Sequence, residues 1–278
     1  MSRTVRMSDG VRVAVQERGD RSSPTVVAVH GYPDDHRVWD GVAADLAADH
    51  RVVTYDVRGA GASDAPASRA GYRLDRLAAD LAAVLDAVSP DAPVHLLGHD
   101  WGAIQAWHAV TDPRFAARVA SFTSISGPCL DHIADWFRRS PRGETLRQAA
   151  KSWYTLLFRL PVLPELGWRS GLFGRVAAGS QRMPRPVVRD AVNGLELYRA
   201  NLGASADGIR RTAVPVQVLA PRRDSFVTVS LQRSAAPFVD DFTMHEIEGG
   251  HWVVRHRPEL IATPVRAFVR APRGDVVP

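Results

Sequence analysis

Short apolar runs alternate with stretches of helical periodicity through the first half of the chain, and this alternation restricts the fold more than any other feature. Apolar residues from Leu74 to Val88 recur at helical spacing, as do those from Trp39 to Leu46. The apolar runs around them, which we interpret as strands, are Val11–Glu17, Thr25–His30, Arg51–Asp56, Val94–Gly98 and Val119–Ser126. Strands that alternate with helices predict an α/β fold with a mostly parallel central sheet and helices on both faces.

The alternation stops near Cys129 and resumes at Val216. The interval is rich in aromatic residues, arginine and proline, and it lacks runs typical of a strand, so we interpret it as helical. Two further apolar runs, Val216–Ala220 and Thr243–Ile247, are followed by a helical pattern near Pro258–Phe268. We therefore predict an α/β core in two parts, residues 1–128 and 207–278, with an inserted helical cap at residues 129–206.

Composition excludes several classes of protein. The chain has 278 residues, of which 45% are hydrophobic and 23% are charged, as in a folded globular protein. Its net charge is +5, but the arginines are scattered, so the sequence predicts no nucleic-acid partner. The single cysteine, Cys129, excludes an internal disulfide bond and a zinc site built on cysteines. Its neighbours give no sign of thiolate activation, so we expect it to be inert.

No segment has the uninterrupted apolar length that a membrane span needs, and no apolar segment follows the first residues as in a secretory signal. We therefore expect a cytoplasmic protein with no membrane partner. The sequence does not determine the oligomeric state, and a homodimer remains open.

The strongest local motif joins a strand to a helix through a tight turn. The strand Val94–Gly98 is followed by His99, Asp100, Trp101, Gly102 and Ala103, and then by a helical pattern. Glycines on both sides of such a turn let the strand and the helix approach closely. This is the geometry of a nucleophile elbow, with aspartate in place of the usual serine. An alternative is that Asp100 is only the N-cap of the helix.

Two partners for Asp100 follow in the order nucleophile, acid, base. Asp224 comes just after the run Val216–Ala220, and His251 comes after Thr243–Ile247, behind two glycines. Because active sites of open α/β sheets lie at the carboxyl ends of the strands, we expect these three side chains to form a catalytic triad. A metal pair of His251 with His256 lacks a third ligand nearby, so we predict no metal.

A second loop supplies backbone donors. His30–Pro33 follows a strand, and the N–H of Tyr32 in this loop, together with the N–H of Trp101, would form an oxyanion hole. Another loop, from Asp56 to Asp64, is rich in glycine but lacks the G-x-G-x-x-G spacing, so we predict neither a nucleotide nor another cofactor.

Aspartate at the nucleophile position indicates the type of reaction. Attack by a carboxylate on an sp³ carbon gives an ester, whose carbonyl carbon a histidine-activated water can attack afterwards. Attack on an ester substrate would instead give an anhydride, which is a poor intermediate. Asp100 therefore favours the opening of an epoxide or the displacement of a halide over acyl transfer.

Together, these motifs resemble those of the epoxide hydrolases of the α/β-hydrolase superfamily over essentially the full chain. The matching segments are His30–Pro33, Gly98–Gly102, Asp224 and Gly250–Trp252. The resemblance implies an α/β-hydrolase fold with a cap in which two tyrosines bind and protonate the epoxide oxygen. The similar stretches here contain Tyr154 and Tyr198. The first has Arg159 where the family has glutamine, and the second lacks the family's tryptophan.

This resemblance implies conversion of an epoxide to a vicinal diol through a covalent ester on Asp100. Trp101, Tyr154 and Tyr198 are the expected substrate-binding residues, and the aromatic cap indicates a bulky apolar or aromatic epoxide. One alternative is a haloalkane dehalogenase with the same aspartate and a halide-binding Trp101. Another is a slow-turnover ligand-binding protein on the same scaffold. Tyr32 and the tyrosine pair favour the epoxide, because those dehalogenases commonly have asparagine in place of Tyr32 and need no such pair.

Overall fold

The predicted sheet is present and has eight strands. The computed structural model describes residues 1–181, 186–203 and 208–271, without the side chains of 177–181. The strands are β1 (Ser2–Arg6), β2 (Arg12–Arg18), β3 (Thr25–Val29), β4 (Arg51–Tyr55), β5 (Val94–His99), β6 (Val119–Ile125), β7 (Val216–Pro221) and β8 (Phe242–Ile247). Their spatial order is β1-β2-β4-β3-β5-β6-β7-β8.

The strands are connected largely by helices. The α-helices in the described residues are α1 (Asp40–Leu46), α2 (Leu74–Val88), α3 (Trp101–Val110), α4 (Pro113–Ala116), α5 (Leu130–Arg139), α6 (Arg142–Lys151), α7 (Trp153–Arg159), α8 (Leu163–Arg169), α9 (Leu172–Gln181), α10 (Val188–Asn201), α11 (Val229–Gln232), α12 (Val253–His256) and α13 (Glu259–Arg270). Short 3-10 helices occur at His36–Trp39, Arg69–Tyr72 and Arg233–Phe238. In this described part of the chain, no helix combines the length and apolar character required to cross a membrane.

The sheet is mostly parallel, as predicted. Among the described strands, β2 alone runs against its neighbours, β1 and β4, and the other pairs are parallel. Every residue of β3, β4 and β7 is buried, which requires cover on both faces of the sheet. Helix α1 contacts β4 and α13, while α3 contacts β5 and α2. The predicted α/β fold is confirmed.

The structure contains one strand, β1, that the sequence pattern does not predict. It pairs antiparallel with β2, from Ser2 opposite Gln16 to Arg6 opposite Arg12. Because it lies at the edge of the sheet, its residues alternate between exposed and half-buried, and it has no apolar run. Charged residues on such an edge discourage pairing with other chains. The other predicted strands agree with the structure to within one residue at each end.

Between β6 and β7 the described chain is helical and contains no strand, and we refer to α5–α10 as the helical insertion. Helix α10 joins the insertion to the core. The Tyr32 hydroxyl donates to the carbonyl oxygen of Ala191 at 2.8 Å, and the Gly61 N–H donates to Asp190 at 2.8 Å. The division of the chain at residues 129 and 206 stays a prediction, and residues 204–207 lie outside the described residues.

Candidate active site

Four parallel strands end at one edge of the sheet, and the loop after each carries a predicted site residue. Tyr32 follows β3, Asp100 follows β5, Asp224 follows β7 and His251 follows β8. The order of these strands in the sheet brings together side chains that are far apart in the sequence. This edge is where open α/β sheets place their ligand sites.

Asp100 occupies a strained turn between β5 and α3. Its backbone angles are φ 52° and ψ −123°, a conformation that costs a residue with a side chain on the order of 1–3 kcal/mol. The flanking glycines make the turn feasible. A Cβ on Gly98 would lie 2.6 Å from Ala103 Cα, and one on Gly102 would lie 2.1 Å from the Val29 carbonyl oxygen. The predicted elbow geometry is therefore present in the backbone.

The side chain of Asp100 does not cap the helix that follows it. It makes no capping hydrogen bond, and its Oδ1 instead accepts the N–H of Tyr32 at 2.7 Å. This geometry argues against the alternative in which Asp100 is only an N-cap. Trp101 is the first residue of α3, and N–H groups in the first turn of a helix have no partner within it. The Tyr32 loop and the start of α3 thus offer backbone donors at the carboxylate.

His251 lies between two carboxylates and is buried. Its Nδ1 is 3.0 Å from Asp224 Oδ2, and its Nε2 is 3.6 Å from Asp100 Oδ2. The other oxygen of Asp224 accepts the N–H groups of Phe226 at 2.7 Å and Val227 at 3.1 Å, which fix its orientation. The three predicted triad residues therefore lie in sequence, with a hydrogen bond between Asp224 and His251 and a longer ion-pair contact between His251 and Asp100.

The charges of the three triad residues affect one another's pKa values. Burial disfavours a charged His251, but the carboxylates of Asp224 and Asp100 outweigh burial and raise the pKa of His251 to about 10. Burial likewise disfavours the charge on Asp224, yet His251 and the hydrogen bonds to its carboxylate hold the pKa of Asp224 below its ordinary value. The raised pKa of His251 therefore favours the imidazolium form in the resting protein at neutral pH.

A cavity of about 390 Å³ lies above Asp100 and His251, between the core and the helical insertion. Tyr154 on α7 and Tyr198 on α10 both line it, with ring centroids 6.1 Å apart. Most of the remaining wall is aromatic or aliphatic, and includes Trp153, Leu157, Phe158, Trp168 and Phe173. Such a cavity suits an apolar small molecule that is oriented by a few polar groups.

Both tyrosines remain neutral phenols at ordinary pH. Burial raises the pKa of Tyr154, and the negative charges of Asp100 and Asp224 raise it further. Burial also raises the pKa of Tyr198 well above its usual value, with Tyr154 and Asp100 as the next causes. A neutral phenol retains a proton that it can donate, so each tyrosine can hydrogen-bond an oxygen of a bound ligand.

The side chain of Trp101 is buried next to Tyr198, and its role in substrate binding stays a prediction. It is 2% exposed and is absent from the residues that line the cavity, so far as the described residues show. Its ring instead packs edge-on against Tyr198, with centroids 4.9 Å apart. The structure therefore places Trp101 behind Tyr198, where it supports the tyrosine ring.

The sequence did not single out three other residues at the site. Asp34 follows the Tyr32 loop, accepts the indole N–H of Trp252 at 2.9 Å, and has its pKa raised to about 7 by burial. Phe226 packs on the His251 ring, with centroids 4.8 Å apart. Lys151 donates from Nζ to the carbonyl oxygen of Asp224 at 2.5 Å. The only available signal was their position next to predicted site residues or, for Lys151, its residue type.

Two further buried histidines near the site have structural contacts. His99 Nε2 lies 2.9 Å from the carbonyl oxygen of His251, and His30 Nε2 accepts the N–H of Val57 at 2.9 Å. Burial lowers the pKa of both, to about 4 for His99. Both are therefore neutral at ordinary pH, and His251 is the histidine placed to act on Asp100.

Cys129 is buried, and burial raises the pKa of its thiol to about 12, as expected for an unreactive cysteine. Among the described residues, ligand atoms of Asp35, His36 and Asp56 lie within 4.8 Å of one another. The Asp56 carboxylate already contacts the His36 ring at 2.7 Å and accepts the Ala62 N–H at 2.8 Å. Hydrogen bonding alone accounts for this cluster.

Comparison with known proteins places the chain in a family. A family model described as the alpha/beta hydrolase fold matches residues 24–255. This match covers most of the chain, and the protein therefore belongs to the α/β-hydrolase fold family.

The chain is similar to several named proteins. It is 35% identical, over 96% of its length, to "Probable oxidoreductase EphD" of Mycobacterium tuberculosis, and it spans about half of that protein, 49%. It is 26% identical, over 96% of its length, to "Epoxide hydrolase 4" of Mus musculus, of which it covers 79%. The chain is also similar to a solved structure described as "Novel epoxide hydrolases belonging to the alpha/beta hydrolases superfamily in metagenomes from hot environments". The TM-score is 0.82 at 20% identity, and the match covers 98% of this chain and 99% of that one. The resemblance to proteins named epoxide hydrolase is confirmed.

Proposed function

We propose that this protein hydrolyses epoxides to vicinal diols through a covalent ester on Asp100. The observation that carries the proposal is an aspartate at the elbow whose Oδ2 lies 3.6 Å from His251 Nε2, in a cavity that also contains two neutral phenols. Similarity to relatives named epoxide hydrolase supports the same chemistry. The chain spans only about half of EphD, so this proposal concerns the site described above.

In the first step, Asp100 Oδ2 bonds to a carbon of the epoxide ring as the ring carbon–oxygen bond breaks. The leaving oxygen takes a proton from Tyr154 or Tyr198. An alkoxide is a strong base, so a phenol of high pKa can still protonate it. Oδ1 stays on the Tyr32 N–H and becomes the carbonyl oxygen of the ester.

In the second step, His251 removes a proton from water, and the resulting hydroxide adds to the ester carbonyl carbon. The negative charge develops on Oδ1, where the N–H groups of Tyr32 and Trp101 stabilise it. Collapse of this intermediate breaks the bond to the alkyl oxygen, which takes the proton from His251 and leaves as part of the diol. The new carboxyl group of Asp100 then gives its proton to His251, which restores the carboxylate. Ester formation neutralises Asp100 and so removes one of the charges that raise the pKa of His251. His251 therefore loses its proton more readily when it must act as a base, and the phenolate left by ring opening takes this proton and becomes a neutral phenol again.

Halide displacement would use the same nucleophile but requires a group that binds the departing halide. The indole of Trp101, the sequence candidate for that role, is buried behind Tyr198 instead of lining the cavity. The two phenols suit a leaving oxygen that stays attached to the substrate and needs a proton. These observations favour the epoxide over the haloalkane, and the triad favours turnover over simple ligand binding.

The proposal is tested by tracing the oxygen in the first turnover. With excess enzyme in ¹⁸O-water, the first diol should carry no label, because its new oxygen comes from Asp100, and the label should appear in the Asp100 peptide. Asp100→Asn should form no diol, while Asp45→Asn, at an exposed position of α1, should retain activity. Label in the first diol would mean direct attack by water and would overturn the covalent mechanism.

The cavity wall supports a bulky apolar or aromatic epoxide as the substrate class. The cytoplasmic location and the absence of a nucleic-acid partner stay predictions from the sequence.

A further inference from the structure

Lys151 is the single lysine of a chain that contains 35 lysine and arginine residues. An ammonium group is a compact point charge on a flexible stem, whereas guanidinium is a wide planar fork. All the remaining residues of this count are arginine. The exception is at the end of α6, where the side chain lines the cavity that contains Asp100 and His251.

The ammonium group is held at the cavity by a neutral partner. Lys151 is half-buried, and its Nζ donates to the main-chain carbonyl oxygen of Asp224 at 2.5 Å. The carboxylate of Asp224 is directed to His251. Among the described residues, Lys151 forms no salt bridge with an acidic side chain. An ammonium has three N–H donors, so Lys151 can bind an anion while keeping its bond to Asp224.

Lys151 lies between two cavities. On the cavity side, its neighbours in the wall include the apolar residues Trp153 and Leu157, which screen charge less than water does. On its other side is a second cavity of about 400 Å³, whose lining includes the acidic residues Glu144, Asp224 and Glu246. Each of these acidic groups has another partner: Glu144 accepts the Ser230 hydroxyl, Asp224 contacts the His251 ring, and Glu246 pairs with Arg222.

We propose that Lys151 binds a carboxylate on the substrate, so that the preferred epoxides are apolar molecules carrying an acidic group away from the ring. The epoxide lies at Asp100, the apolar part lies along the aromatic wall, and the carboxylate accepts N–H groups from Lys151. This inference rests on the proposed epoxide hydrolysis and adds a recognition residue to it. Lys151 thereby selects among epoxides and takes no part in bond breaking.

The experiment compares matched pairs of substrates. Each pair consists of an epoxide with a terminal carboxylate and the same molecule with a neutral primary amide, in a series of increasing chain length. Diol formation is measured as kcat/KM by mass spectrometry for the wild type, Lys151→Met and Arg147→Met. Arg147 is the matched control, since it is an exposed cation on the same helix that lines the second cavity and not the one containing Asp100.

For at least one chain length, we expect kcat/KM of the wild type to be about tenfold to 100-fold higher for the acid than for the amide. This factor corresponds to the free energy of one hydrogen bond to a charged group. Lys151→Met should bring this ratio close to one, whereas Arg147→Met should keep it. The preference should also weaken as salt is added.

A purely structural role for Lys151, in holding the Asp224 loop, would lower kcat/KM for acid and amide by the same factor and leave their ratio unchanged. That result, or a wild-type ratio near one at every length, would overturn the assignment of Lys151. An enzyme that hydrolyses styrene oxide but neither member of any pair would overturn it as well. Failure to form a diol from any epoxide, styrene oxide included, would instead overturn the proposed function.

Discussion

At the scale of single residues, the side chain at position 100 divides the proposed reaction into two half-reactions with different needs. A carboxylate is ordinarily ionised at neutral pH, so it can attack an epoxide without help from a base. Water is a poor nucleophile until a base removes its proton, so the second half-reaction depends on His251. The contacts of His251 with Asp224 at 3.0 Å and with Asp100 at 3.6 Å fit a base that acts after the ester has formed.

Removal of His251 should therefore separate the half-reactions. Given an epoxide that the wild type accepts, His251→Gln should still open the ring and then stall as the ester. Intact-mass measurement should show the enzyme heavier by one substrate molecule, with the adduct on the peptide that contains Asp100. His256→Gln, an exposed histidine at the end of α12, is the control and should turn over without a lasting adduct. An inactive His251→Gln enzyme with no adduct would contradict this division of roles.

The pH dependence of the second half-reaction follows from the same charges. In the resting protein, Asp224 and Asp100 raise the pKa of His251 to about 10 against the effect of burial. The ester removes the charge of Asp100, so the pKa of His251 in the intermediate lies below about 10. Because the neutral imidazole is the active form, ester hydrolysis should speed up as pH rises and should level off above that lower pKa.

Single-turnover decay of the ester, followed across pH, checks this expectation. Asp224→Asn should move the midpoint to lower pH, because it removes the carboxylate whose charge raises the pKa of His251 the most. It should also lower the plateau rate, because the imidazole is less well oriented. A midpoint in the intermediate equal to the pKa of His251 in the free enzyme, measured by NMR, would contradict the role of Asp100 in setting that pKa.

At the scale of elements, the elbow between β5 and α3 depends on close packing that leaves no space for a side chain. A Cβ on Gly102 would lie 2.1 Å from the Val29 carbonyl oxygen, which belongs to the neighbouring strand β3. Backbone on both sides of the contact is fixed by the sheet and by the helix. Neither side can therefore move without displacing Asp100.

Gly102→Ala should destabilise the fold by about 1–3 kcal/mol or more, the usual cost of overpacking. Gly143→Ala is the control, because a Cβ at this position on α6 meets nothing within 4 Å. In a helix, replacement of glycine by alanine stabilises by roughly 0.5–1 kcal/mol. Urea unfolding should therefore shift the two variants in opposite directions. Equal stability of Gly102→Ala and the wild type would show that the elbow tolerates a wider turn.

The elbow could be predicted from sequence because its geometry is encoded within nine consecutive residues, Val94–Gly102. Asp224 and His251 could be predicted because each follows an apolar run that ends at the same sheet edge. Strand β1 could not, since Val5 is its single apolar residue and its position depends on pairing with β2. The orientation of the Trp101 ring toward Tyr198, and the contact of Lys151 with Asp224, depend on the packing of the insertion against the core. No local pattern encodes that packing.

At the scale of the whole molecule, the proposed reaction is divided between the core and the helical insertion. Asp100, Asp224 and His251 follow strands of the core, whereas Tyr154 and Tyr198 belong to α7 and α10. The second half-reaction therefore uses core residues, while ring opening needs a correctly docked insertion. Docking of α10 depends on polar contacts such as Asn193 Nδ2 donating to the Gly59 carbonyl oxygen at 2.9 Å.

Asn193→Ala should therefore slow ring opening and leave ester hydrolysis nearly unchanged. Loss of one neutral hydrogen bond, worth about 0.5–1.5 kcal/mol, should reduce the rate of ring opening by about two- to tenfold as Tyr198 moves from its position. Tyr198→Phe is the reference variant, because it removes one donor completely and should lower the rate of ring opening by about 100-fold or more. Stopped-flow measurement of ester formation and decay separates the two rates, and Val188→Ala, an exposed position on the same helix, is the control. If Asn193→Ala slowed ester decay as much as ester formation, α10 would have to support the core residues too. The assignment of the two half-reactions to separate parts of the molecule would then be wrong.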